Sequence, residues 1–342
     1  MDFSLTEAQD AVAQVAATVF GDIATAERVK EVARSDERVD RRLWSALATA
    51  GLVGIAVPEA FGGAGLGMTE LALVLEQQGR RVAQVPMLWS ALAAMALARS
   101  GAGDGLVERV VAGDAVVTCA FAHAGLDVVD GRLVGQLTAV PYAHVAERVL
   151  VVAGAGLLLA DPRDAEREVA EATDHQLLTH LRFDGADAEV IGGPEAVDWV
   201  VQRALVGVAA LQLGVAEEAL AQAAAYTSAR VQFGKPLSSF QSTSARAADA
   251  YIDTEAMRVT MLQAAWRLDQ GLDATTAVAV AKWWASDAGE RVVQAVQHMH
   301  GGLGADVEYP VHRYFLVGKQ LADTLGGASA HLARIGSALA GR

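Results

Sequence analysis

The chain has 342 residues, of which 53% are hydrophobic, enough apolar material to build two or three packed units and too much for global disorder. Lys and Arg total 27 against 41 Asp and Glu; the resulting net charge of −14 has the wrong sign for coating a phosphate backbone and excludes nucleic acid as a default partner. The single cysteine, Cys119, cannot form an internal disulfide and reads as buried filler, and no His/Cys cluster has metal-ligand spacing, which fits a reducing compartment and no structural zinc.

The opening residues MDFSLTEAQD carry acids where a secretory signal would carry basic and then apolar residues. The longest apolar runs, such as 149–160, fall short of the ~20 residues a membrane span needs. The expectation is a cytoplasmic protein with no membrane association.

From residue 4 to about 110 the apolar spacing is helical, with Ser4 or Thr6 able to cap a first helix that runs through Val12, Val15 and Val19. The glycine-rich stretch PEAFGGAGLG, residues 58–67, interrupts it, and helical patterning resumes from Met68. Between about 115 and 192 the texture changes to short β-branched runs at 116–120, 132–134, 148–159 and around 181–183, separated by Gly, Asp and Pro, which predicts a small antiparallel β domain. From Pro194 onward long Ala-rich helices return, broken at 234–236, 271, 301–304 and 326–327. The predicted fold is mainly α with a small central β domain: helical over 1–113, β over 114–193 and a helical bundle over 194–342. The bundle helices are apolar around much of their circumference, so they need burial by other helices and can extend across a subunit interface.

Residues 226–241, YTSARVQFGKPLSSFQ, gather an arginine, an aromatic-glycine turn and a glutamine around a helix break, a set able to pair with phosphate and to hydrogen-bond an adenine or ribose. Spacing alone is more simply met by a helix cap with Arg230 in a surface ion pair. Residues 294–310, QAVQHMHGGLGADVEYP, place three glycines after an amphipathic helix, where the backbone can approach a bulky ligand and offer its amides. Two such sites at the ends of C-terminal helices imply one shared cofactor. His298 and His300, without a third ligand or a carboxylate nearby in sequence, read as packing residues rather than a metal site.

The segments ARVQFGKPLSSFQ, VQHMHGGLGADVEYP and GGASAHLARIG, with LWSALATAGLVGIAVPEAFGGAGLG and DFSLTEAQ nearer the start, resemble acyl-CoA dehydrogenases in order and separation over essentially the whole chain. That resemblance implies the family's fold of helical domain, antiparallel β domain and four-helix bundle. It implies FAD, with the adenosine-diphosphate half reaching across a subunit interface to a neighbouring protomer. Arg230, Gln232, Phe233, Gln241, Gln297, Gly301 and Gly302 fall on the positions of that reach.

The family's chemistry removes an α proton with a glutamate while the β hydrogen leaves as hydride to the flavin. By the resemblance, the glutamate of the E-G-T motif falls on Leu325, and the alternative glutamate of a smaller branch falls on Gln202, just before Arg203. Neither side chain accepts a proton. Asp323 sits two residues early, and Glu217 and Glu218 read as an ordinary polar helix face. The family's threonine-rich strand and Gly-Ser-Asp turn are replaced by VTCAFAHAGLDVV at 116–128, and the Arg-Asp pair before the base appears as Leu316 and Val317.

With the dinucleotide-tail half kept and the reacting half lost, the pattern resembles the base-lacking subunit of actinobacterial α2β2 acyl-CoA dehydrogenases that shorten steroid side chains. The implied partners are a catalytic acyl-CoA dehydrogenase subunit, an acyl-CoA held mainly in that partner's site, and an electron-transfer flavoprotein or similar acceptor. Two other readings stand beside it: a self-sufficient homotetramer using Asp323, and a non-enzymatic member of the fold that binds an acyl-CoA or a protein.

Overall fold

The computed structural model describes residues 3–122, 125–129, 132–154 and 156–340. In chain order come α1 (Glu7–Ile23), α2 (Ala26–Val32), α3 (Arg41–Thr49), α4 (Met68–Arg81), α5 (Met87–Ser100) and α6 (Leu106–Val111). The strands follow: β1 (Val117–Phe121), β2 (Leu126–Val129), β3 (Arg132–Pro141), β4 (Arg148–Ala153), β5 (Gly156–Ala160), β6 (Glu166–Glu171) and β7 (Leu177–Gly192). The chain ends with α7 (Pro194–Ala229), the short strands β8 (Val231–Gln232) and β9 (Lys235–Pro236), then α8 (Gln241–Asp269), α9 (Thr275–His300), α10 (Val311–Asp323) and α11 (Ala328–Ala340). Of the two candidate first caps, Thr6 fills the role, its Oγ1 accepting from Gln9 N at 3.3 Å while Gln9 Oε1 accepts from Thr6 N at 3.0 Å.

By contact the chain divides into two units, one formed by residues 22–71 with 84–204 and the other by 1–21, 72–83 and 205–342. In the first, the sheet runs in the order β1-β4-β5-β7-β3-β2, with β6 also on β7. Its core is Leu133, Leu137, Val140, Val149, Val151, Leu158, Leu181 and Phe183. The sheet is mixed, correcting the antiparallel expectation: β1 lies parallel to β4, because the excursion through β2 and β3 pairs elsewhere and returns the chain beside β1 in the same direction. α5 is buried along most of its length, and Ser90 Oγ donates to Val117 O at 2.8 Å, tying it to β1. Cys119 is buried, its Sγ 3.3 Å from Trp89 O, and burial pushes the thiol up, so it is filler as expected. Asp40 caps α3 through Leu43 N and takes a two-pronged bond from Arg28 at 2.9 Å.

The second unit is built on α7, whose most apolar stretch has a mean hydropathy of 1.5 and is 72% buried. It is long and apolar enough to span a membrane by composition, a feature hidden from a search for unbroken apolar runs because polar residues such as Gln212 interrupt it; its burial is that of a core helix. Two glycines set its crossing with α4. A Cβ on Gly214 would lie 1.9 Å from Glu76 O, and one on Gly79 would lie 2.1 Å from Leu211 O, so the backbones touch. Beside this crossing Glu76 meets Arg80 at 3.3 Å and Arg258 at 3.1 Å, and Glu217 binds both arginines. Both carboxylates are nearly buried, and the charges of the quartet cancel. Glu217 is therefore an internal ion-pair partner and not part of a solvated polar face, since α4 and α8 cover it.

Further along α7, Gln212 packs on Gly289 of α9, where a Cβ would fall 2.2 Å from its Nε2. The same Nε2 donates to Gly318 O of α10 at 3.1 Å, and Tyr314 of α10 donates to Arg80 O at 2.8 Å. Alanine ordinarily strengthens a helix relative to glycine by about 1 kcal/mol. Gly214→Ala should do the reverse and cost ~1–3 kcal/mol by overpacking, read as a lower urea midpoint; an unchanged or higher midpoint would contradict the crossing.

Candidate functional site

α7 ends where Arg230 N donates to Tyr226 O at 2.8 Å, and the chain leaves in the hairpin formed by β8 and β9. Its two loop residues, Phe233 (φ 55°) and Gly234 (φ 80°), are both left-handed, the conformation whose twist suits a two-residue hairpin. Leu237 N closes the hairpin on Arg230 O at 2.9 Å. Glycine adopts that conformation freely; for phenylalanine it costs ~1–2 kcal/mol. Phe233 is also 91% exposed, its ring touching only Phe240 at 6.2 Å among the described aromatic contacts, while Lys235 Nζ lies 4.2 Å over Phe240. A strained, uncovered aromatic at a tip is a feature the chain gains nothing from alone. Arg230, Gln232 and Gln241 are exposed around the same hairpin. Arg230 has no carboxylate within ion-pair distance among the described residues, which removes the surface ion pair that spacing alone allowed.

The end of α9 meets the end of α7 here, for His300 stacks on Tyr226 with ring centroids 4.6 Å apart. The helix stops at Gly301 (φ 60°, ψ −140°), a backbone state open to glycine. Ideal Cβ atoms on Gly301 and Gly302 would stand in open space, so both glycines leave bare backbone at the surface. Gln297 points its Oε1 into the interior, where neither it nor Nε2 of His300 has a hydrogen-bond partner among the described residues. His298, one residue on, faces outward into a cleft of about 620 Å³ between α8 and α9, with Arg246, Arg291 and Gln294. His298 and His300 thus diverge, one exposed and one buried, and do not form a metal pair.

The positions that carry a base by resemblance lie elsewhere. Gln202 is half-buried on α7; its neighbour Arg203 lies 3.8 Å over the Trp199 ring and donates to Trp199 O at 3.2 Å. Leu325 is half-buried in the turn after α10 and is itself left-handed (φ 61°). Asp323, the last residue of α10, is exposed. Leu316 and Val317 are half-buried on α10. In the replaced segment 116–128, β1 and β2 flank residues 123 and 124, which lie outside the described residues.

Sequence reasoning missed what holds that turn. Lys282 of α9 is fully buried, donating to Ser286 Oγ at 2.5 Å and to the carbonyls of Ala322 and Gly326 at 3.1 Å each. Burial lowers its ammonium to about 8, against the pull of Asp323. His331 of α11 is also buried, its Nε2 donating to Leu325 O at 3.2 Å. Burial first, then the Lys282 and Arg334 charges, lower its imidazole to about 4. The signal was present: Val278, Ala281, Lys282, Ala285, Ser286 and Gly289 form one buried helical stripe, with a lysine in its middle.

Residues 6–104 match the acyl-CoA dehydrogenase N-terminal domain family and residues 193–338 the acyl-CoA dehydrogenase C-terminal domain family. The chain is similar to acyl-CoA dehydrogenase FadE27 of Mycobacterium tuberculosis, with 38% identity over 99% of both chains. Among solved structures it is similar to the ChsE4–ChsE5 complex from Mycobacterium tuberculosis, at 37% identity and a TM-score of 0.94 over 99% of both chains. It is likewise similar to the Tcur3481–Tcur3483 steroid ACAD variant, at 40% identity and a TM-score of 0.91 over 98% of both chains.

The buried imidazole makes a pH prediction. In the unfolded chain His331 takes up a proton near 6.5, and in the folded chain only near 4. Between those values the unfolded state binds more protons, so the stability present above pH 6.5 declines as pH falls and is lost by about pH 4, about 3 kcal/mol in all. Urea unfolding from pH 7 to 4 should show this loss, and His331→Gln should abolish most of it; equal slopes in both proteins would contradict the assignment.

Proposed function

Because this chain belongs to the acyl-CoA dehydrogenase family, we propose that it is the base-lacking subunit of a heteromeric FAD-dependent acyl-CoA dehydrogenase, completing the flavin site of a catalytic partner in an α2β2 assembly. The observation that carries the reading is the contrast between the two half-sites. The hairpin tip and the bare Gly301–Gly302 turn stand ready for a ligand, with Arg230 beside them free of an ion pair among the described residues, whereas Leu325 and Gln202 stand where the resemblance puts the base.

The residues fit the dinucleotide tail of FAD. Arg230 would neutralise the pyrophosphate, as a planar guanidinium does best. The Gly301 and Gly302 amides lie where no side chain intervenes, Gln232 and Gln241 offer amide groups at the surface, and Phe233 would cover apolar ring surface of the adenine or flavin. Gln297 is the exception: its Oε1 turns into the interior, away from the exposed hairpin and glycine turn. The flavin, when bound, accepts the hydride from the β carbon of an acyl-CoA thioester, and a carboxylate must take the α proton. In this chain that proton has nowhere to go at 325 or 202, and the exposed Asp323 gives little support to a self-sufficient enzyme. The catalytic carboxylate is therefore assigned to the partner subunit.

The substrate proposed is a steroid side-chain CoA ester. Its support is likeness: the Tcur3481–Tcur3483 protein is a steroid ACAD, and ChsE4–ChsE5 is a complex of two named chains. An electron-transfer flavoprotein or similar acceptor would then reoxidise the flavin.

In the assembled complex, Arg230→Ala should weaken flavin retention by ~1.5–3 kcal/mol, roughly ten- to a hundredfold, measured as FAD lost on dilution; undiminished flavin content would refute the tail assignment. Leu325→Glu should restore no turnover at this subunit's own site, because the segment 116–128 also departs from the family. Dehydrogenation by Leu325→Glu paired with a base-deficient partner would contradict that.

A further inference from the structure

A lysine in the middle of a buried stripe is costly to the fold unless its protons are all taken up. Around Lys282 the partners are main-chain carbonyls and one hydroxyl, with no carboxylate in hydrogen-bond contact among the described residues. The carbonyls of Leu321 (3.4 Å) and Ala322 (3.1 Å) belong to the last turn of α10, which has no further helical amides to satisfy them. A cation there is also favoured by the helix dipole. Ser286 Oγ accepts from Lys282 and donates to Ala322 O at 2.7 Å, so both side chains grip one point.

The same ammonium reaches past the turn to Gly326 O, four residues beyond Ala322. Between these anchors Leu325 is forced into the left-handed region, and Gly326 follows it at φ 104°. From the far side His331 holds Leu325 O. Leucine gains nothing from a left-handed backbone, so the conformation is imposed by what surrounds it.

We propose that Lys282 is a positioning residue: by clamping α10 to Gly326 it imposes the left-handed conformation at position 325 and so sets the direction of the side chain there. That this is the family's base position rests on the reading above; the clamp itself rests on the contacts alone.

The test is a double-mutant cycle in the full chain, with Leu325→Gly made alone and in the Lys282→Met background. Glycine relieves the enforced backbone, so Leu325→Gly should be more stabilising beside the native lysine than without it. The expected coupling is a fivefold or greater difference in the unfolding equilibrium constant. An identical effect in both backgrounds would make Lys282 a core filler and overturn the proposal, whatever the fate of the flavin reading. Should Lys282→Met fail to fold, Ser286→Ala loosens the same clamp. It should speed hydrogen exchange of the Gly326 amide, which donates to Asp323 O at 3.0 Å, by tenfold or more while α1 is unaffected; unchanged exchange at Gly326 would overturn the proposal equally.

Discussion

At Gly79 and Gly214 the backbones of α4 and α7 touch, and the unit that carries the candidate site is arranged around that contact. With no side chain between the helices, Glu76 and Glu217 can share Arg80 and Arg258 in a closed quartet whose charges cancel, the carboxylates nearly buried and the guanidiniums still partly exposed. Arg80 O in turn receives Tyr314 of α10, while Gln212 of α7 reaches both Gly289 of α9 and Gly318 of α10. Those close approaches leave α9 little freedom to slide. Its register brings Lys282 under the end of α10 at one level and His300 against Tyr226 at the end of α7 at another.

Two ends of the same helices have met different fates. Where α7 and α9 finish, the chain has an exposed hairpin with a strained phenylalanine at its tip, an arginine with no counter-charge among the described residues and a turn of bare glycines. The left-handed, exposed phenylalanine costs stability locally, and the group becomes intelligible if another molecule covers it. Where α10 finishes, the turn at Leu325 is held by Lys282 and His331 with a leucine at its centre. On the proposed reading, the first end serves the neighbour's flavin and the second carries no chemistry of its own.

Much of this was legible in the sequence because its signals are local. Helical spacing, β-branched runs and glycine breaks gave the helical, β, helical order, and the hairpin and the Gly301–Gly302 turn were visible as glycine-bearing breaks. What escaped depends on pairings between distant segments. Glu217 read as a polar face because its arginines lie on other helices, and the parallel β1–β4 pairing follows from where β2 and β3 go rather than from β1 itself. Choosing between Ser4 and Thr6 needed the reciprocal bond to Gln9. Helix phase decides that Gln297 turns inward and His298 outward, a distinction one residue of spacing barely hints at. Lys282 was overlooked for a simpler reason: a charged residue in an apolar stripe is easily assigned to the surface unless the stripe is followed around the helix.

The central claim is that this chain and a catalytic partner share a flavin site. It is tested most directly by native mass and flavin absorbance after expressing the chain alone and then together with a candidate catalytic acyl-CoA dehydrogenase subunit. The account predicts a chain with little flavin alone, and on co-expression a yellow α2β2 complex holding about one FAD per pair. A yellow, active homo-oligomer from the lone chain would contradict it.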